Sequence, residues 1–336
     1  MGTLTFKLHC SQMSTSSVMR KYIGILFLFT FTLVIQSAVF QPSIVNAGEV
    51  TDDSLALPVT VREQPGDTAS VNTDLDTRLR WSDMFVNIPR DWVRWPQAAF
   101  RSDNILPWLA VAGSTALLIA TDDQTYEPSK KFYESDERVA SASDFLSNLG
   151  DGRTQFGLSG AFALYGWLAN DMKALHVASQ IVETVLASGI VVQVLKHSTG
   201  RQSPIVATTP TGRWKFFPGP LEYHSKIPAY DAYPSGHVTT TLATVIVLAE
   251  NYPDAKWIRP VGYTLIAGIG IGMANNSIHW YSDYPLAILL GYTFGMIAAH
   301  PEGFDVVNKT TENSPALTVQ PFVARQGGGV TMTLSF

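Results

Sequence analysis

Six apolar stretches, near 105–121, 157–171, 174–196, 237–251, 258–274 and 284–299, alternate with loops rich in proline, glycine, aspartate and asparagine. Each is long enough for about four helical turns and too long for an ordinary strand. The chain between residues 91 and 300 is therefore constrained to an all-α core, a bundle of about six or more helices. Most of the stretches run nearer to about 16 residues than to the ~20 that a spanning helix needs. Some hold polar residues inside, such as Gln180, Glu183 and Gln193 in "VASQIVETVLASGIVVQVLK". A compact bundle is the leading expectation, with membrane contact left open. The composition fits either case, since 46% of the 336 residues are hydrophobic and only 15% charged, which means little charged surface to hold in water.

The flanks differ from this core. Residues 48–90, with "TDDS", "REQPGDTAS" and "NTDLDTR", show no sustained period and read as a polar linker or irregular arm. Residues 301–336 end in "ALTVQPFVARQGGGVTMTLSF", two alternating stretches around Gly327–Gly329 that predict a short C-terminal β-hairpin packed on its own domain. A closed barrel is excluded because it needs about eight or more strands and no other candidates exist. At the other end, Met19, Arg20 and Lys21 precede "YIGILFLFTFTLVI", and "SIVNAGE" offers small or medium residues before Gly48. Residues 1–47 thus read as an N-terminal extension and a cleaved export signal, with a retained anchor as the alternative. An exported protein, periplasmic or membrane-associated, is expected.

Several function classes drop out early. The net charge is −5 and no basic run appears, so nucleic acid is not an expected partner. Cys10 is the sole cysteine and precedes the signal. A mature chain would then lack disulfides, thiolate metal sites and a cysteine nucleophile. No metal and no cofactor is expected.

The chemistry-bearing residues sit at the edges of the apolar stretches. In "DAYPSGHVTT", Pro234, Ser235, Gly236 and His237 lead directly into a nearly all-apolar helix, with Ser235 in a position to cap it. An imidazole on such a first turn is either a satisfied core group or faces something bound at the helix's positive end. Further on, "NNSIHWYSDYP" sets Asp283 four residues after His279, one turn away if the segment is helical. A carboxylate on one ring nitrogen makes the other a better nucleophile or base. Upstream, "VLKHSTGRQSP" offers Lys196 and Arg201. Two cations, the Ser235–Gly236 turn and two histidines form a set that can hold a phosphate and break its ester bond.

In order and spacing these motifs resemble the type 2 phosphatidic acid phosphatase superfamily, which also holds bacterial class A acid phosphatases and vanadium haloperoxidases. The family carries Lys-x6-Arg-Pro, Pro-Ser-Gly-His and Ser-Arg-x5-His-x3-Asp. Here they stand as "KHSTGRQSP", "PSGH" and "GMANNSIHWYSD", and the resemblance covers roughly residues 100–300. It implies that His279 is a nucleophile forming a phosphohistidine, that Asp283 orients it, and that His237 protonates the leaving group. It further implies that Lys196, Ser235 and the Gly236 N–H bind phosphate, and that no metal is required. The implied substrate is a lipid-linked or small organic phosphate monoester or diphosphate, with the oligomeric state open.

Both motif arginines are missing: Ser203 and Met273 occupy their positions. A charge-assisted contact is worth about 1.5–3 kcal/mol, and a lost transition-state donor costs on the order of 100- to 1,000-fold in rate. Arg201, two residues before Ser203, is the expected substitute, with Arg213 and Lys215 as weaker candidates. The competing expectation is a phosphate- or lipid-phosphate-binding homologue that turns over feebly or not at all. A vanadate-dependent haloperoxidase ranks lower, since too few cations are on offer.

Overall fold

The computed structural model describes residues 3–7, 83–100, 104–301, 316–324 and 327–335. Ten α-helices run through the described residues: α1 Asp83–Ala99, α2 Ile105–Ile119, α3 Asp122–Tyr133, α4 Glu137–Leu149, α5 Gly152–Ala169, α6 Met172–Thr199, α7 Pro220–Ser225, α8 Gly236–Asn251, α9 Ile258–Asn275 and α10 Tyr284–Ala299. All six apolar stretches are helical within a few residues of their expected ends. Four further helices were not anticipated. The sequence "DDQTYEPSKKFY" of α3 is polar and α1 contains Pro89 and Pro96, so neither shows an apolar stripe free of breakers. Helix α1 begins at Asp83, inside the stretch read as linker.

Helices α8, α9 and α10 form the centre. Val238, Leu242 and Ile246 meet Ile266, Ile269 and Met273 from α9 and Tyr284, Ile288 and Leu289 from α10. Burying a side chain of this size contributes about 1.5–3 kcal/mol. Helices α8 and α10 cross so closely that a Cβ on Gly291 would lie 2.5 Å from the Thr239 carbonyl oxygen. Helix α6 packs Val177, Ile181 and Val185 against Val247 and Ala298. Helix α1 closes the outer side, its Trp92 and Trp95 indoles donating to the Ala187 carbonyl and to Thr293 Oγ1 at 3.0 and 2.9 Å.

Local signals set the helix starts. Asp151 and Asp171 accept from the Arg153 and Ala174 amides at the N-termini of α5 and α6, each worth about 1 kcal/mol. Among the described residues α6 alone is by itself long and apolar enough to cross a membrane, α2 and α3 joining it only if their bent pair counts as one span, and 61% of its most apolar window is buried inside the molecule.

Extended backbone at Thr3–Lys7, Ala316–Ala324 and Gly327–Ser335 forms no substantial interface with the helices among the described residues. The expected β-hairpin packed on the helical domain is not supported. Alternation in sequence marks extended backbone but does not say which surface it packs on. The expected export signal, residues 19–47, lies outside the described residues.

Candidate active site

The first turn of α8 meets the segment between α9 and α10. His237 stands one residue into α8, as expected, and its ring centroid lies 6.4 Å from that of His279 with the planes 70° apart. His279 is not on an α-helix. It precedes a short 3₁₀ turn, Tyr281–Asp283, which folds the carboxylate back just as a helical turn would. His279 Nδ1 lies 3.2 Å from Asp283 Oδ2, and the Trp280 amide donates to the same oxygen at 2.8 Å. That pairing commits Nδ1 and leaves Nε2 as the nitrogen available for chemistry. Both residues are buried.

The two motifs are joined through backbone. The Ser235 amide donates to the Asp283 carbonyl at 3.2 Å, and the first bond inside α8 runs from Thr239 N to Ser235 O. The amides of Gly236, His237 and Val238 precede that bond and belong to the orphan donors of a helix start. Ser235 occupies the N-cap position, yet its hydroxyl makes no capping bond. The residue is fully buried and its Oγ has no hydrogen-bond partner. A buried hydroxyl left in this way is costly unless a ligand uses it.

Lys196, in the last turn of α6, is buried, and its Nζ lies 3.0 Å from Asp231 Oδ1. The same oxygen accepts from the Tyr223 hydroxyl at 2.6 Å. Burial, then the nearby His279 and the Lys196 ammonium, push the His237 imidazole down to about 4, against a smaller upward pull from Asp151 and Asp231. The turn between α4 and α5 presses on this ring: a Cβ on Gly150 would lie 3.0 Å from His237 Cβ.

Arg201 does not replace the missing arginines. It is completely buried, and both terminal nitrogens of its guanidinium donate to protein acceptors, while Nε has no partner among the described residues. Nη1 donates to Ser282 Oγ at 2.7 Å and to Asp283 Oδ1 at 2.6 Å, while Nη2 donates to Asp122 Oδ2 at 2.6 Å and the Thr211 carbonyl at 2.9 Å. The Trp214 and Trp280 rings lie 4.8 and 5.4 Å from it. Its backbone bridges to Trp214 and Asp231. Arg201 thus fixes Asp283 from behind and ties down the loop between the first two motifs. Arg213 is exposed and Lys215 pairs with Glu222 at the surface.

Sequence reasoning missed Asp122, Ser282, Asp231 and Gly150. Asp122 sits at the start of α3, where burial pushes its carboxyl up to about 7 against the pull of Arg201 and Ser282. Ser282, next to Asp283, and Asp231, the first residue of "DAYPSGHVTT", lay within stretches already singled out. A small cleft of about 10 Å³ reaches His279 from the α3 side, lined among others by Tyr126, Ser129 and Trp280. It has room for one water-sized group and includes neither His237 nor Lys196. Among the described residues no group of three or more His, Cys, Asp or Glu side chains is arranged to hold a metal ion.

Residues 178–302 match the family model of the PAP2 superfamily. The match falls in the superfamily that the three motifs resemble. The matched segment carries every expected site residue from Lys196 to Asp283, whereas Asp122 and Gly150 are brought to it by helices that precede the PAP2 match. No significant match was found among curated proteins or among solved structures. The PAP2 superfamily includes phosphatases.

Proposed function

We propose that the protein is an exported phosphatase that hydrolyses a lipid-linked or small organic phosphate through a phosphohistidine on His279. The observation that carries this reading is the facing pair of imidazoles, 6.4 Å apart, with a carboxylate on Nδ1 of only one of them. That asymmetry separates the roles. His279, oriented by Asp283, presents Nε2 to phosphorus, and the bond to the leaving oxygen breaks as the P–N bond forms. His237 supplies the proton to that oxygen and afterwards takes one from the water that cleaves the P–N bond. The ring is neutral above about 4 in its protein surroundings, and an anionic phosphoryl group beside it raises its affinity for a proton. Lys196, the Ser235 hydroxyl and the Gly236 amide bind the phosphoryl oxygens.

Hydrolysis of phosphatidate, a polyprenyl diphosphate and p-nitrophenyl phosphate, with and without vanadate, tests the proposal. His237→Ala is expected to slow turnover roughly 100- to 10,000-fold, and His279→Ala to abolish both turnover and an acid-labile phosphoryl adduct. Turnover indifferent to His279→Ala would refute it. A second reading, a phosphate-binding homologue without turnover, is favoured by Ser203 and Met273 at the arginine positions. Phosphate binding with no adduct at His279 would select it.

A further inference from the structure

The missing arginines and the Asp231–Lys196 pair have a joint consequence for the charge of the substrate. We propose that the site prefers singly charged phosphoryl groups, such as phosphodiesters or singly protonated monoesters, over fully ionised monoesters. The inference rests on the phosphatase reading for its site but not on turnover.

The charges around one anion site set this preference. Ser203 and Met273 contribute none. Arg201 is balanced by Asp122 and Asp283. The exposed Arg153 side chain pairs with Asp151 at 3.0 Å, so that edge adds no net charge. His237 and His279 face each other, and Asp283 stands behind the second. The remaining cation is Lys196, buried, with a carboxylate oxygen 3.0 Å from its nitrogen. Tyr223 donates to that same oxygen and thereby holds Asp231 in place. A phosphoryl group that engages Lys196 therefore comes near Asp231 as well. Lys196 and Asp231 together carry no net charge, so a second negative charge on the phosphoryl group finds no unpaired cation and adds repulsion from the carboxylate in a partly buried setting, where it is poorly screened. A buried site excludes an anion by leaving one like charge uncompensated more effectively than by losing one contact.

The chemistry balances for such a substrate. With a diester, the His279 Nε2 lone pair forms the P–N bond, one ester P–O bond breaks, and the departing oxygen takes a proton from His237. Water then cleaves the P–N bond, returning a proton to His237, and the products are one alcohol and one phosphomonoester.

The test separates binding from turnover. In the full chain carrying His279→Ala, titration calorimetry at pH 7.5 measures Kd for methyl phenyl phosphate, a monoanion, and for phenyl phosphate, mostly a dianion above its second pKa near ~6. Adding Asp231→Asn is expected to shift the ratio of the two affinities at least about tenfold toward the dianion. Tyr223→Phe, which frees the Asp231 oxygen from its competing donor, is expected to move the ratio the other way. A ratio that neither substitution moves, or binding of neither probe, would overturn the inference. Whether wild type turns over and forms an adduct on His279 decides the phosphatase reading separately.

Discussion

The two histidines stand in opposite kinds of surroundings. His279 is anchored from behind by layers of partners: Asp283 on Nδ1, Arg201 on Asp283, and Asp122 and Ser282 on Arg201. His237 rests instead on packing against Gly150, beside a serine hydroxyl without a partner. Buried polar atoms without a partner stand on both sides, Arg201 Nε and Asp122 Oδ1 on the first and Ser235 Oγ on the second. Of these, only the Ser235 hydroxyl is a donor at a helix start, where an anion can be received. This difference suits the roles proposed. A nucleophile must be aimed before the substrate arrives, so its supports are built in. An acid that gives and takes a proton gains from a site whose electrostatics change when an anion enters.

Breaking the anchored side should have the largest effect. Arg201→Met leaves the carboxylates of Asp122 and Asp283 buried without their cation, and removing one partner of a buried pair typically costs 3–5 kcal/mol, about the figure expected here. Urea unfolding should show that loss, with the melting transition moving down accordingly. A variant within about 1 kcal/mol of wild type would show that the Asp122–Arg201–Asp283 chain does not hold the site together. On the other side Gly150→Ala should cost less, about 1–3 kcal/mol. The added Cβ would lie 2.7 Å from Ile269 Cγ2 and 3.0 Å from His237 Cβ. It should lower kcat more than it lowers stability, because the ring it displaces reaches the substrate. A loss of stability with unchanged kcat would contradict the idea that packing aims His237.

What could be read in advance follows the same division. The helices of the core were legible because their apolar character is written in consecutive residues, and His237, His279 and Asp283 because their motifs are local. Asp122 and Gly150 were not, since nothing in "TDDQ" or "LGDG" says that these turns arrive at the site from α3 and α4. Arg201 was found but given the wrong partner. Its place two residues before Ser203 suggested a phosphate ligand. The fold instead surrounds it with Asp122, Ser282 and Asp283, contacts 79 to 82 residues away along the chain. Charge in a motif-like position shows that an ion pair will form, and only the tertiary structure shows with whom.

The smallest effect, measured per pH unit, and the sharpest comparison lie in the pH dependence of stability. His237 is pushed below its ordinary 6.5 to about 4, so the folded protein binds fewer protons there than the unfolded chain does. Its contribution is present above 6.5 and is lost as the pH falls toward 4. Asp122 is raised from 3.8 to about 7, so the folded state holds more protons, and stability from this group is lost as the pH rises from about 4 to 7. Urea unfolding of wild type, His237→Gln and Asp122→Asn between pH 4.5 and 7 should therefore diverge in opposite senses. Wild type should gain on His237→Gln as the pH rises and lose ground to Asp122→Asn over the same range, each by no more than about 1.4 kcal/mol per pH unit. Parallel profiles for the two variants would mean that the two sides of the site do not differ in the way their geometry says.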